Sequence, residues 1–217
     1  MPCKLAIFDF DGTLADSLPW FVVAMNEAAE RYGFRHFEAG DAERLRGRSA
    51  REVMQFAGIP MWKVPAITRF MRARMGEDVG AISLFPGVAA MLEALVAAGV
   101  GLSVVSTNAE RNVRHVLGPR HAALVRHYGC GASMFGKGPK LRQALAAARV
   151  APTEAICIGD EIRDFVAARA EGIPFGAVAW GFTDGAALAA QGPEAYFARV
   201  EEIVAHLAPR RAEGRAS

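Results

Sequence analysis

The segment that is most informative about the fold reads Phe8-Asp9-Phe10-Asp11-Gly12-Thr13-Leu14. It begins within the apolar residues 5–8, a run with the length and composition of a buried strand. In an extended chain, side chains two positions apart project to the same side, so we expect the carboxylates of Asp9 and Asp11 to point together beyond the strand's carboxyl end. Gly12 allows a sharp turn there and can direct backbone N–H groups at an anion.

Two carboxylates held this close repel each other unless a positive charge lies beside them. A divalent cation meets that need, and Mg2+ prefers oxygen ligands, with one or two carboxylates beside a substrate phosphate. The pair Asp9 and Asp11 therefore indicates a magnesium site. The alternative is a solvated, aspartate-rich turn at the end of a strand, and the rest of the sequence decides between the two.

Short apolar runs alternate with amphipathic stretches along the remaining core of the chain. The apolar runs are residues 5–8, 102–105, 155–158 and 175–179, with a weaker and more polar candidate at residues 122–128. The amphipathic stretches are residues 88–98, 111–117, 141–149 and 162–171. This alternation is typical of parallel strands joined by crossover helices. We therefore predict an α/β fold with a Rossmann-like parallel sheet and helices on both faces.

Residues 17–85 interrupt the alternation, because they contain helical patterns at residues 18–32, 50–56 and 67–75 and no β-rich run. Strand pairing that resumes after Pro86 is most simply satisfied if this insert folds separately over one end of the sheet. The predicted division is a core domain of residues 1–16 and 86–208, an all-helical cap domain of residues 17–85 and a flexible tail of residues 209–217.

The next predicted strand also ends in polar residues. Ser106, Thr107 and Asn108 follow residues 102–105 and precede a helix. Hydroxyl groups and the free amides of a helix N-terminus suit phosphate oxygens. The same residue types are also ordinary helix caps, so this motif alone leaves both interpretations open.

Lysine is rare in the chain, with four lysines against 21 arginines, so its placement is informative. Lys137 lies between two glycines ahead of a predicted helix, where its ammonium group could approach both a phosphoryl oxygen and the carboxylate that attacks it. Lys140 follows three residues later and is more simply a solvated lysine near the helix N-terminus.

Acidic residues follow the strand at residues 155–158. Asp160 lies at the turn from strand to helix, and Asp164 lies four residues later, on the same side of the first helical turn. The helix dipole favours acidic residues in the first turn of a helix, but it explains a single one better than it explains Asp160, Glu161 and Asp164 together. We predict Asp160 to be a metal ligand, with Glu161 and Asp164 as candidates for a further ligand or a supporting role.

The four motifs, in this order and with a helical insert after the first, resemble those of the haloacid dehalogenase superfamily, in its phosphoglycolate phosphatase-like branch. The resemblance covers nearly the whole chain and is carried by residues 8–14, 104–108, 135–137 and 158–164. The first and last motifs together are highly specific, whereas the two middle ones are permissive. Residues 178–182 also resemble this branch, with no role assigned to them.

The resemblance implies Mg2+-dependent hydrolysis of a phosphate monoester. Asp9 would attack phosphorus and form an aspartyl-phosphate that water hydrolyses, while Asp11 would act first as general acid and then as general base. Asp9, Asp160 and the backbone carbonyl of Asp11 would hold Mg2+. The residues implied in binding the phosphoryl group are Ser106, Lys137, Gly12, Thr107 and Asn108.

Several alternatives stay open. Lys140 can replace Lys137, because the spacing Lys-Gly-Pro-Lys departs from the usual Lys-Pro of the family. A sugar-phosphate mutase similar to β-phosphoglucomutase would keep all four motifs, and a phospho-ligand-binding protein without catalysis would keep the fold. The resemblance disfavours a dehalogenase, since those enzymes lack an acidic residue where this chain has Asp11. The substrate is expected to be phosphoglycolate-like and to contact the cap, where Arg46 and Arg48 are candidates.

Composition restricts the class of protein further. The 217 residues carry a net charge of +2, too small to indicate a nucleic-acid partner. Three widely spaced cysteines fit neither a disulfide framework nor a zinc motif, and no apolar stretch is long enough to cross a bilayer. We expect a cytoplasmic monomer or homodimer whose partner is a small-molecule phosphate ester, with no membrane or nucleic-acid partner.

Overall fold

The computed structural model describes residues 3–38, 40–45, 48, 50–132 and 136–208. The strands are β1 (Leu5–Phe8), β2 (Ala15–Asp16), β3 (Ser83–Leu84), β4 (Gly101–Val105), β5 (Val125–Gly129), β6 (Ala155–Gly159), β7 (Phe175–Val178) and β8 (Ala195–Phe197). The α-helices are α1 (Leu18–Tyr32), α2 (Asp41–Leu45), α3 (Ala50–Phe56), α4 (Val64–Glu77), α5 (Val88–Ala97), α6 (Glu110–Ala122), α7 (Gly138–Ala148), α8 (Ile162–Ala170), α9 (Gly185–Ala189) and α10 (Glu201–Leu207).

The main sheet has six strands in the order β5-β4-β1-β6-β7-β8, and every pairing in it is parallel. This confirms the predicted α/β fold. Because β1 lies between β4 and β6, the segments that follow these three strands emerge side by side at one edge of the sheet. Ligands of open parallel sheets bind at this edge, so the topology alone brings three of the four sequence motifs together.

Both faces of the sheet are covered by helices. Along β1 the side chains alternate: Ala6 and Phe8 belong to a core that includes residues of α5, α6 and α10, whereas Leu5 and Ile7 belong to a second core with residues of α7 and α8. Successive side chains of a strand point to opposite faces, so this central strand is buried on both sides. Asp9 is next in the alternation after Phe8, which places it on the side of α7.

The weakest predicted strand, residues 122–128, is displaced in the structure. The strand β5 covers Val125–Gly129, and the preceding helix α6 continues to Ala122. The helix passes through a kink at Gly118, whose φ is 70°, and restarts at Pro119. Proline fits the first turn of a helix, so the segment after Gly118 remains helical for longer than its glycine suggests.

The insert after β1 is helical, as its sequence pattern predicts. Its helices α1, α3 and α4 share a small core that contains Met25, Met54 and Ile67. Where the chain leaves and re-enters the sheet, β2 and β3 pair antiparallel, with Ala15 opposite Leu84. The division into core and cap domains remains a prediction, and the predicted tail, residues 209–217, lies outside the described residues. Among those residues, no helix combines the length and apolar character needed to cross a membrane.

Candidate active site

Three buried carboxylates meet at the carboxyl edge of the sheet. Asp9, Asp160 and Asp164 each offer an oxygen within 4.8 Å of those of the other two. Their exposed fractions are 5%, 0% and 1%, so water does not screen their mutual repulsion. Such a cluster requires cationic neighbours or bound protons to be stable.

A buried ammonium group supplies one positive charge. The Nζ atom of Lys137 lies 2.8 Å from Oδ1 of Asp9 and 2.6 Å from Oδ1 of Asp164. Burial alone would lower the pKa of Lys137. The negative charges of Asp164, which has the larger effect, and of Asp9 outweigh burial and raise that pKa. The lysine is therefore a permanent cation in the site. Lys140, the alternative from the sequence, is only half-buried, in the first turn of α7.

One ammonium does not balance three carboxylates. Burial raises the pKa of Asp9 well above its ordinary range, although the charge of Lys137 opposes the shift. Burial, followed by the charges of Glu161 and Asp164, raises the pKa of Asp160 to about 7. Burial is the first cause of both shifts and the neighbouring carboxylates add to it, so the cluster favours an added proton or cation.

A divalent cation fits this deficit. Oδ2 of Asp164 is buried and has no hydrogen-bond partner among the described residues, although a buried carboxylate oxygen normally has one. The cluster offers only oxygen ligands, which Mg2+ prefers to nitrogen or sulfur. The donor set therefore suits the magnesium ion expected from the sequence.

Asp160 is held from two sides. The Thr13 hydroxyl donates a 2.8 Å hydrogen bond to its Oδ1, and the Phe182 N–H donates a 2.7 Å hydrogen bond to its Oδ2. Two glycines make room for it: a Cβ atom at Gly12 would lie 2.3 Å from Oδ2, and one at Gly181 would lie 2.0 Å from the Asp160 Cβ. These contacts fix the carboxylate from the first motif and from residues 178–182.

Asp11 lies outside the three-carboxylate cluster. Its carboxylate accepts a hydrogen bond from Nδ2 of Asn108, which is 3.0 Å from Oδ2. Strand β1 ends at Phe8, and the N–H groups of Leu14 and Ala15 turn back to the Phe10 carbonyl. The third carboxylate of the cluster is Asp164 instead. Burial raises the pKa of Asp11, an effect that the Asn108 hydrogen bond partly offsets.

The polar residues after β4 hold one another in place near the site, where Ser106 and Asn108 are buried. The Oγ atom of Ser106 accepts the Asn108 N–H at 3.0 Å, which leaves its hydroxyl hydrogen free to be donated to an anion. Oδ1 of Asn108 accepts the Ala109 N–H at 2.8 Å. The carbonyl of Thr107 accepts from Nε of Arg72, at 2.6 Å, and so ties this turn to the helical insert.

The remaining predicted residues lie further from the cluster or cannot be placed. Glu161 forms an ion pair with Arg163. Arg48 is exposed, and its Nη1 atom lies 3.2 Å from Oε1 of Glu52. It also lines the cavity that opens onto the site. The second substrate candidate, Arg46, lies outside the described residues, as does Phe135 of the third motif.

Several residues that build the site had no role predicted from the sequence. Thr13 lies within the first motif and residues 178–182 follow the last apolar run, and of these Thr13, Gly181 and Phe182 contact Asp160 directly. A glycine and an aromatic residue just after a strand end were the available signal. Arg72 had none, because a single arginine in an arginine-rich helix does not reveal which carbonyl groups it will reach.

Comparison with known proteins identifies the family. Residues 6–178 match the model of the haloacid dehalogenase-like hydrolases, which covers most of the chain. The protein therefore belongs to this family of hydrolases, as the four motifs predict. A phosphoglycolate phosphatase of Synechococcus elongatus is 34% identical over 189 residues, which span 87% of this chain and 89% of that protein.

Two further matches are a relative found by sequence and a solved structure found by superposition. The tyrosine-protein kinase PtkA of Mycobacterium tuberculosis is 32% identical over 185 residues, covering 82% of this chain and 63% of the kinase. The crystal structure of a predicted phosphatase from Clostridium acetobutylicum superposes with a TM-score of 0.81 at 18% identity, covering 95% of this chain and 99% of the other. At that identity the superposition supports the fold alone.

Proposed function

We propose that the protein is a Mg2+-dependent phosphatase that hydrolyses a small phosphate monoester through an aspartyl-phosphate on Asp9. The observation that supports this most strongly is the contact of the buried Asp9 carboxylate with Lys137, beside two further buried carboxylates. Such a site offers a nucleophile and a fixed cation, and a bound metal can supply the further positive charge that its carboxylates and an anionic substrate require.

Asp9, Asp160 and the backbone carbonyl of Asp11 are the proposed magnesium ligands, and the unpartnered oxygen of Asp164 is available to support them. Bound Mg2+ would neutralise charge on the phosphoryl group and on the attacking carboxylate. Lys137 and the Ser106 hydroxyl would bind phosphoryl oxygens, and the turn of residues 107–108 and the backbone at Gly12 would complete the phosphate-binding surface.

In the first proposed step, a carboxylate oxygen of Asp9 forms a bond to phosphorus while the bond from phosphorus to the ester oxygen breaks. Asp11, whose pKa burial raises, donates its proton to the departing oxygen. In the second step, water attacks phosphorus and gives a proton to the Asp11 carboxylate. The bond from phosphorus to Asp9 breaks, which releases inorganic phosphate and restores both residues.

We propose that the protein is a cytoplasmic monomer or homodimer that acts on a free ester, with neither nucleic acid nor membrane as partner. Phosphoglycolate is the reference ester for assays, because relatives carry its name. The sugar-phosphate mutase considered from the sequence would use the same residues up to the aspartyl-phosphate. It would differ in passing the phosphoryl group to a second hydroxyl of the sugar instead of to water.

The test is release of inorganic phosphate from p-nitrophenyl phosphate with Mg2+ or with EDTA. We expect turnover that EDTA abolishes and that Asp9→Asn lowers by at least 1,000-fold, since loss of a nucleophile can cost about 10⁶-fold in kcat. Lys140→Gln is the matched control for Lys137→Gln, and only the latter should reduce turnover strongly. Activity that survives EDTA would contradict the proposal, and isomerised sugar phosphate without free phosphate would identify a mutase.

A further inference from the structure

A cavity of about 270 Å3 lies between the helical insert and the strand ends that carry the site. The strand ends contribute mainly polar residues to its lining, among them Asp11, Thr107 and Asn108. The insert contributes mainly apolar ones. Because Asp11 is the proposed proton donor to the departing oxygen, the cavity begins where the organic part of the ester must lie.

One wall is a face of α1. The lining residues Leu18, Phe21, Val22 and Met25 lie on one side of this helix, because Leu18 and Met25 are each three or four residues from both Phe21 and Val22, and they form one continuous apolar stripe. The Phe21 ring lies 5.6 Å from the ring of Phe182, whose N–H holds Asp160. The apolar wall therefore reaches Phe182, the residue that contacts the proposed metal ligand Asp160.

The facing wall is a stripe of α4. Val64, Ile67, Thr68, Met71 and Met75 line the cavity, again at helical spacing. Thr68 contributes the only hydroxyl among these five residues. Methionine side chains adapt their shape to an apolar neighbour, so this wall suits a flexible or variable hydrocarbon better than a fixed polar group.

The arginines of the described lining are already engaged. Arg72 is bound to backbone carbonyl groups at two strand ends, Arg163 is paired with Glu161, and Arg48 is exposed and paired with Glu52. A carboxylate on the substrate, such as that of phosphoglycolate, would lose its hydration here and would find no unpaired arginine in the described lining.

We propose that the preferred substrate is a phosphate monoester whose organic part is apolar, an alkyl or aryl group held between α1 and α4. This inference rests on the proposed phosphatase function and adds the substrate class. The cavity is large enough, because cavities of about 150 Å3 already accept benzene. Phosphoglycolate, whose organic part carries a negatively charged carboxylate, is then a poor substrate of this chain.

The experiment compares kcat/KM for ethyl, butyl and hexyl phosphate with that for phosphoglycolate. Alkyl esters have leaving groups of similar basicity, so their differences report binding in the cavity rather than intrinsic reactivity. We expect kcat/KM to rise about fourfold for each methylene group that the cavity takes up. Phosphoglycolate should not exceed ethyl phosphate, and phenyl phosphate serves as the aryl arm.

A matched pair of variants locates the effect. Met71→Lys places an ammonium group on the cavity wall. It should raise the kcat/KM for phosphoglycolate, relative to that for butyl phosphate, at least tenfold. Met61→Lys makes the same change at a residue that is 52% exposed and outside the lining, and it should leave the ratio unchanged. If Met71→Lys does not fold, the wild-type ester series decides alone.

The outcomes separate this inference from the function on which it rests. A flat alkyl series, or phosphoglycolate ahead of butyl phosphate, would overturn the apolar substrate class while leaving a working phosphatase. No Mg2+-dependent phosphate release from any ester, p-nitrophenyl phosphate included, would overturn the proposed function itself.

Discussion

At the scale of single residues, Asp160 depends on two glycines as much as on its hydrogen bonds. The φ angle of Gly181 is not positive, so its backbone conformation does not require glycine. Its lack of a side chain instead leaves the space that Asp160 occupies. A glycine of this kind marks a close approach rather than a turn. We therefore predict that a single methyl group at this position displaces a proposed metal ligand.

Gly181→Ala should lower kcat/KM by about 100-fold, since a shift of about 1 Å at a catalytic centre has that effect. It should also lower the free energy of unfolding by about 1–3 kcal/mol through overpacking. Gly80→Ala is the control, because a Cβ atom there meets open space and the backbone φ is not positive. Enzyme kinetics and urea denaturation measure both effects, and equal losses in the two variants would contradict the role of Gly181.

Some of these residues were predictable and others were not. Asp9, Lys137 and Asp160 follow from polar residues placed at the ends of apolar runs, because parallel strands align their carboxyl ends. The place of Asp164 in the cluster, in preference to Asp11, depends on how the backbone turns after Asp9. Residue types and spacing do not specify that turn.

At the scale of elements, Arg72 ties α4 to residues that follow two strands of the sheet. Its guanidinium group donates to the carbonyl of Thr107 at 2.6 Å and to that of Ala132 at 2.9 Å, which follow β4 and β5. In return, Nδ2 of Asn112 on α6 donates to the Arg72 carbonyl at 2.9 Å. These contacts hold the insert against the edge of the sheet where the phosphoryl group would bind.

Arg72→Met keeps much of the side-chain volume and removes both donors. We expect the free energy of unfolding to fall by about 2 kcal/mol, because two carbonyl groups lose charge-assisted hydrogen bonds. Tm should then fall by about 4–8 °C, and KM should rise because the cavity is less well closed. Arg69→Met, at an exposed position of the same helix, should change stability by less than about 0.5 kcal/mol. Thermal unfolding of the two variants decides, and equal shifts would contradict the account.

The main strands and helices were predictable because each carries a clear period and a bounded length. The pair β2 and β3 was not, since two residues per strand carry no pattern. The start of α4 was also missed: the helix begins at Val64 instead of residue 67, because Pro65 fits the first turn of a helix.

At the scale of the whole molecule, the carboxylate cluster links stability to pH and to Mg2+. The native pKa of Asp160, about 7, lies above its ordinary value of 3.8, so the metal-free native state binds this proton more tightly than the unfolded chain does. The resulting stabilisation is complete below pH 3.8 and is lost as the pH rises to about 7. The raised pKa of Asp9 acts in the same direction.

In EDTA, Tm should therefore fall between pH 5 and pH 8 by more than it does in saturating Mg2+, so that the gain in Tm from Mg2+ increases with pH. Asp160→Asn removes the titrating group and should make the metal-free protein more stable at pH 8. The amide can keep both contacts, because the Thr13 hydroxyl can accept as well as donate. Differential scanning calorimetry measures these shifts, and a gain from Mg2+ that does not vary with pH would contradict this linkage.

The fold class could be predicted for the whole molecule because the order of the motifs agrees with the alternation of strand and helix patterns along the chain. The lining of the cavity could not, since it arises only when the apolar stripes of α1 and α4 face each other. Either stripe, considered alone, has the pattern of an ordinary core-facing helix.

The most direct measurement of the central claim is the mass of the enzyme during turnover. Asp11→Asn with p-nitrophenyl phosphate and Mg2+ should accumulate phosphoenzyme, because the departing nitrophenolate needs no proton while the attacking water lacks its general base. After acid quenching, peptide mass spectrometry should find one added phosphoryl group on Asp9 and none in Asp9→Asn or in EDTA. A phosphoryl group on another residue, or phosphate release from wild-type enzyme with no trapped intermediate in this variant, would contradict the account.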